Sequence, residues 1–327
     1  MTDRAQPEIA VVVPTRNRPL RLRWLLNALE EQTVPQGRFE VLVGHDGTDP
    51  RTAELLRTHP LAATGVLRHG ELPPGSGGPG ANRNVAWRLA RAPLVLFTDD
   101  DCRPPADWLE RALDAAHRHP GAVVQGTTIP DPEEIHLERA APHAHTQRVH
   151  PPTPWAQTCN ILYPRELLER LGGFYEDPNW GEDTDLAVRA RQAGAPYEAA
   201  PEVVTHHAVE PQTFAERLRG IWRWQDLAHM VKTHPELRDD LPLWVFWKRT
   251  HVWLGPAAAG ALLAQRRGAG WGALALPWIV HTLPQQYGTG PRGRLRALSE
   301  LPSRAAIDLI EMGAMVRGSV RFRTFLL

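Results

Sequence analysis

At 327 residues the chain can hold one large domain, or one domain with a substantial appendage. Its 37 basic and 37 acidic residues cancel, so no global field favours nucleic acid, and any partner must be sought in local patches. Two cysteines, Cys102 and Cys159, supply neither a disulfide framework nor metal-ligand spacing, and an acid and an Arg stand before the first short apolar run. That pattern is not a signal peptide, and the chain is expected to be cytoplasmic.

Ile9 to Val13 is a short β-branched run that stops at Pro14, as a buried parallel strand does. Leu20 to Gln32 reads as an amphipathic helix with Leu22, Leu25, Leu26 and Leu29 on one face. A second strand, Phe39 to Val43, ends in Gly44-His45-Asp46-Gly47. Pro50 to Arg57 is helical, and Gly65 to Arg68 is a candidate third strand. Gly75 to Asn82 formally contains GxGxxG, but Pro73 and Pro74 part it from any strand, so a flexible loop is the better reading. Asn82 to Ala90 then forms a helix that leads into the strand Leu94 to Phe97. This βαβαβ order predicts a mostly parallel sheet with helices on both faces and ligands at the carboxyl ends of the strands.

The last of these strands runs into Thr98-Asp99-Asp100-Asp101. Neighbouring carboxylates repel by about 1 kcal/mol per pair even in water, and by more near a core, so the run calls for a divalent cation. The plain alternative is an Asp-rich turn, with Asp101 or Asp107 capping the helix at Trp108. A second cluster, Trp180-Gly181-Glu182-Asp183-Thr184-Asp185, opens another helix, where acids are also favoured by the helix dipole. Thr128 to Pro154 reads as loop, including His143 to His145. Trp155 and Trp180 are candidates for stacking on a ring or apolar ligand or for core packing, and of His206 and His207 at most one can face a site at the end of the strand Glu202 to Thr205.

"VVVPTRNRP", "VLVGHDGTD", "GANRNVAWRLARAPLVLFTDDDC", "GGF" and "WGEDTDLAVRARQAG" occur in this order, and together they resemble the signature set of the family 2 glycosyltransferases over roughly residues 8 to 207. The resemblance implies a GT-A type, Rossmann-like sheet and an inverting enzyme that uses a divalent metal, Mn or Mg. It would move a sugar from a nucleotide diphosphate sugar to a glycan, lipid-linked or small-molecule acceptor. It implies that Pro14, Thr15, Asn17 and Asp46 hold the base, that Arg83 faces the diphosphate, and that Asp99 and Asp101 form a DxD motif. Asp101 is then the metal ligand and Asp99 lies nearer the ribose. Asp100, Trp180 and Glu182 are further substrate-side candidates, His207 a second candidate metal ligand, and Asp183 the implied general base. The sequence departs from the usual pattern at His45, where many members carry an acid. A sugar nucleotidyltransferase would instead need a glycine-rich loop after the first strand, where this chain has PTRNRP, and a non-catalytic sugar-nucleotide binder need not keep Asp183.

The chain is thus expected to divide into a catalytic domain, 1–213, and a helical, Trp- and Arg-rich region, 214–327. The mainly apolar runs Val252 to Ala264 and Gly268 to Val280 are shorter than the ~20 residues a bilayer span needs. Tryptophan and arginine beside such runs suit helices lying in a membrane interface, on the inner face of the cell membrane, or else a packed subdomain or homodimer face.

Overall fold

The computed structural model describes residues 6–176, 181–283, 287–288 and 290–327. In chain order its first part runs β1 (Ile9–Thr15), α1 (Pro19–Glu30), β2 (Phe39–His45), α2 (Pro50–Thr58), α3 (Pro60–Ala63), β3 (Leu67–Glu71), α4 (Pro79–Trp87), β4 (Leu94–Phe97), β5 (Cys102–Arg103), α5 (Trp108–Arg118), β6 (Val123–Pro130), α6 (Ile135–Ala140), β7 (Ile161–Pro164), α7 (Arg165–Leu171), α8 (Glu182–Gln192) and β8 (Tyr197–His207). The eight strands form one sheet in the order β3-β2-β1-β4-β7-β6-β8-β5. The β1–β2, β1–β4, β2–β3 and β6–β8 pairs are parallel, and the β4–β7, β6–β7 and β5–β8 pairs are antiparallel.

Alternation along β1 builds two cores. Ile9, Val11 and Val13 pack with Leu22, Leu25, Leu26 and Leu29 of α1 on one face. Ala10 and Val12 join Ala86 and Trp87 of α4 and Leu186, Ala187 and Ala190 of α8 on the other. Each fully buried leucine contributes about 1.5–3 kcal/mol, which fixes α1 and thereby the loop that joins it to β1. Because β2 and β4 lie on opposite sides of β1, the chain order reverses there, and the loops after β1 and β4 open at the same carboxyl edge.

Several boundaries differ from the sequence reading. The third strand is Leu67–Glu71, since Gly65 turns with a φ of 68°. The helix expected from Asn82 starts at Pro79, so half of the supposed flexible glycine loop is helical, and Arg83 lies inside the helix. Proline at the first helical positions needs no N–H partner, which explains the early start. The expected loop Thr128 to Pro154 contains the end of β6 and all of α6. Asp107 stands at the start of α5 without capping it, its carboxylate being held by Arg111 at 2.7 Å. Both cysteines are buried and unpaired with each other.

The chain divides into two compact units, Met1–Glu134 with Thr146–Val209, and Ile135–His145 with Glu210–Leu327. The second unit thus borrows α6 from within the first stretch of sequence. It is otherwise helical, with α9 (Phe214–Ile221), α10 (Leu227–Thr233), α11 (Arg249–Arg267), α12 (Leu276–Thr282), α13 (Pro291–Ser299) and α14 (Leu301–Phe322). No helix among the described residues is long and apolar enough to cross a membrane.

Candidate active site

Beyond β4 the acid run is anchored before it begins. The Thr98 amide donates to the Val12 carbonyl at 3.1 Å, and its hydroxyl donates to the Cys159 carbonyl at 3.0 Å. The three carboxylates that follow then diverge. Asp100 turns inward and accepts from the Thr15 hydroxyl at 2.6 Å. Burial, reinforced by the charge of Asp101, pushes its carboxyl up to about 7. Asp99 accepts from Arg83 at 2.8 Å. Asp101 accepts from Arg18 at 2.7 Å through Oδ2, while its Oδ1 lies 3.4 Å from Nε2 of His207.

His207 reaches this corner because β5 pairs antiparallel with β8, setting Cys102 opposite His207 and Arg103 opposite His206. The ligand atoms of Asp99, Asp101 and His207 lie within 4.8 Å of one another. His207 Nδ1 is 2.9 Å from the Ala208 carbonyl, which can only accept, so Nδ1 carries the hydrogen. Nε2 faces the Asp101 carboxylate. Two hard oxygens and an imidazole oriented by a backbone carbonyl fit a divalent ion. The neighbouring His206 is half-buried, and burial lowers its pKa.

Arg83, on the face of α4 turned to the sheet, is 5% exposed and bridges two acids, donating to Asp99 at 2.8 Å and to Glu182 at 2.7 Å. Burial works against its charge, but Asp99, Glu182 and Asp183 outweigh that and raise its pKa. A solvated helix arginine is therefore ruled out. α4 comes close enough to do this because β2 has Gly44 beneath it, where a Cβ would stand 1.8 Å from the Asn82 carbonyl. Asp183 lies in the first turn of α8, behind Gly181, whose φ is 86°. Its Oδ1 accepts from the Thr184 amide at 2.8 Å, and the Thr184 hydroxyl donates to the Trp155 carbonyl at 2.8 Å. Part of the Asp183 surface stays open, yet protein surrounds it. Burial and the adjacent Glu182 push its carboxyl up to about 7, against the lowering influence of Arg83. Asp185 points elsewhere, accepting from Arg189 at 2.8 Å, and Arg189 in turn donates to the carbonyls of Leu171 and Gly173.

At the other end of the edge, Asn17 is exposed with a φ of 56°, and Pro14 precedes it half-buried. The Thr48 hydroxyl lies 2.7 Å from both Asn17 Oδ1 and Asp46 Oδ1, joining the loops after β1 and β2. Arg16 Nε stands 2.9 Å from Asp46 Oδ2. His45, at the position where an acid is common, meets His69 at 3.2 Å, and burial followed by that neighbour lowers its pKa.

The structure thus gathers Thr15, Arg83, Asp99, Asp100, Asp101, Glu182, Asp183 and His207 within one unit, with Pro14 near the end of β1 and Asn17 and Asp46 on the loops after β1 and β2. Thr15 donates to Asp100 Oδ2, while Asp100 Oδ1 lies 3.6 Å from Arg18. Trp155 offers its carbonyl rather than an exposed ring, and Trp180 lies outside the described residues. Sequence reasoning passed over Arg16, Arg18 and Thr48. Their signal was present in PTRNRP and HDGTD, where cations and a hydroxyl stand among acids that need them.

A mixed sheet with an acid-lined carboxyl edge beside its reversal point is the architecture of α/β proteins that take their ligands at that edge. The family described as glycosyl transferase family 2 matches residues 10–172, and that described as glycosyl transferase family group 2 matches residues 94–285. The chain belongs to the family 2 glycosyltransferases. It is 27% identical over 232 residues to glycosyltransferase AglE of Haloferax volcanii, covering 66% of this chain and 71% of that protein. It is 28% identical over 282 residues to validoxylamine A glucosyltransferase of Streptomyces hygroscopicus subsp. limoneus, covering 75% of this chain and 60% of that protein. Among solved structures it resembles the mannosyltransferase PcManGT from Pyrobaculum calidifontis in complex with GDP-Man and Mn2+, with a TM-score of 0.57 and 23% identity over 96% of this chain and 87% of that one. It also resembles residues 1-349 of S. aureus TarS in complex with UDP-GlcNAc, with a TM-score of 0.53 and 18% identity over 97% of this chain and 91% of that one. The fold is therefore that of GT-A glycosyltransferases, and the chain is a transferase.

Proposed function

We propose that this enzyme moves a sugar from a nucleotide diphosphate sugar to an acceptor hydroxyl, with inversion at the anomeric carbon and in a single displacement. The observation that carries this reading is the convergence of Asp99, Asp101 and His207 within 4.8 Å, with Arg83 linking Asp99 to Glu182 beside Asp183. Asp101 and His207 would hold a divalent ion, with Asp99 beside it toward the ribose. When bound, that ion supplies a Lewis acid for charge growing on the departing diphosphate.

Asp183 acts as general base. Its carboxylate takes the acceptor proton as the hydroxyl oxygen bonds to the anomeric carbon, and the bond from that carbon to the phosphate oxygen breaks with its electron pair leaving on the nucleoside diphosphate. Attack on the face opposite the phosphate gives the inverted product. Arg83 is a positioning residue that holds Asp99 and Glu182 in register. Asn17, Thr48 and Asp46 line the base end. Two unpaired buried cysteines agree with a cytosolic enzyme.

Calorimetric titration with GDP, UDP and their sugar conjugates, with and without Mn, tests the reading. Metal-dependent binding of one conjugate is expected, and absence of metal-dependent binding across the panel refutes it. The solved relatives hold guanosine and uridine donors, so both bases belong in the panel.

A further inference from the structure

We infer that the hairpin formed by α11, the 3-10 segment Ala269–Ala275 and α12 is a docking surface for an anionic lipid bilayer, on which the second unit lies without crossing it. The inference stands independently of the transfer chemistry.

The inner side of α11 is spent on packing, with His251, Leu254, Ala257 and Gly260 buried. Its outer side should then be polar, as on any helix that faces water. It is not, because no charged residue stands between Arg249 and Arg266 apart from the buried His251, and Ala258, Ala261 and Leu262 face outward. Gly260 lets the 3-10 segment fold back onto the helix, since a Cβ there would lie 2.7 Å from Leu274 and 2.8 Å from the Trp271 carbonyl. One hairpin therefore exposes Leu262 at 59%, Trp271 at 43%, Leu274 at 39%, Leu276 at 56% and Val280 at 69%. Arg266 and Arg267 sit exposed at its bend.

Charge selects the occupant. From Leu241 to Ser299 the sequence has no Asp or Glu, yet it carries basic residues from Lys248 and Arg249 to Arg292, Arg294 and Arg296. The next carboxylates, Glu300, Asp308 and Glu311, are buried and engaged by Arg304, Trp278 and Lys248. A second copy paired through this same face would set arginines against arginines with no carboxylate between them. Nucleic acid would take the arginines but leave Leu262, Leu274, Leu276 and Val280 with nothing apolar to cover them. An anionic bilayer satisfies both groups, its headgroups meeting Arg266 and Arg267 and its acyl boundary taking the tryptophan and aliphatic side chains.

Flotation with vesicles of phosphatidylcholine, alone or with about 30% phosphatidylglycerol, tests this at about 50 mM and 500 mM salt. The full chain is expected to float with the anionic vesicles at low salt and to be released at high salt. Arg266→Glu with Arg267→Glu should cut partitioning about tenfold or more. Trp271→Phe should remove most of the fluorescence quenching by brominated lipid while leaving metal-dependent donor binding unchanged. The inference is overturned by failure to float at low salt, or by flotation that neither substitution alters. It is equally overturned by a solution dimer that the arginine substitutions dissolve, which would assign the face to a second copy.

Discussion

Asp183 carries two opposed demands. Burial and Glu182 hold its carboxyl near pH 7, so the charged form needed to accept a proton is the form the folded chain resists. kcat/KM for transfer is therefore expected to fall as pH drops through about 7, which a pH–rate profile at saturating metal checks. Because the folded value lies above the unfolded one, the native state binds the extra proton between them, and stability falls as pH rises across that window. Asp183→Asn should accordingly leave metal-dependent donor binding intact, lower transfer by about 10²–10⁴-fold, and raise the melting temperature at pH 8. Asp101→Ala should instead weaken metal-dependent donor binding about tenfold or more, as measured by calorimetry. Equal loss of donor binding in both variants would contradict the assigned roles.

Among the elements, α4 has the strongest bearing on the site, because it brings Arg83 under Asp99 and Glu182. Gly44→Ala places a methyl carbon against the Asn82 backbone, where no side-chain rotation can relieve it. It should cost more than the ~1–3 kcal/mol of ordinary overpacking, or push α4 outward and lower activity with it, as denaturant titration and kcat will report. This dependence was hidden in the sequence. A period of two in β1 and leucines at helical spacing in α1 made those elements legible, and the DxD and GED clusters announced themselves by charge. The start of α4 was obscured by glycines that read as loop, and the Arg83 bridge joins residues far apart in sequence. β5 is two residues long, with no period to detect, yet its pairing with β8 is what turns His207 and not His206 toward the acids.

For the whole molecule, the two units rest on different kinds of interior. The first is a sheet with an apolar core on each face, legible from alternation alone. In the second, an apolar cluster of Leu254, Ala257 and Trp278 lies beside a buried group of charged side chains. Glu311 on α14 is fully buried and accepts from Lys248 at 2.6 and 2.8 Å, with His251 at 3.3 Å and Arg217 at 3.8 Å, while Asp308 one turn earlier accepts from Trp278 of α12 at 2.9 Å. Burial works to raise the Glu311 carboxyl, but His251 and Lys248 outweigh it and hold it below the ordinary glutamate value. A depressed carboxylate contributes stability that is present above its unfolded value and is lost as pH falls through the folded one. Glu311→Gln keeps the shape but leaves the Lys248 ammonium and the Arg217 guanidinium without their counter-charge. It is expected to cost about 1–3 kcal/mol, less than breaking a fully buried pair because water reaches the Lys248 and Arg217 side chains, and to flatten the acid limb of the stability profile of this unit. Pairing it with Lys248→Met should recover part of that loss, because the stranded cation is removed along with its partner. Chemical denaturation of the single and double variants at pH 7 and pH 4 separates the two contributions, and a double variant no more stable than the single one would place the charge balance of this interior on Arg217 instead.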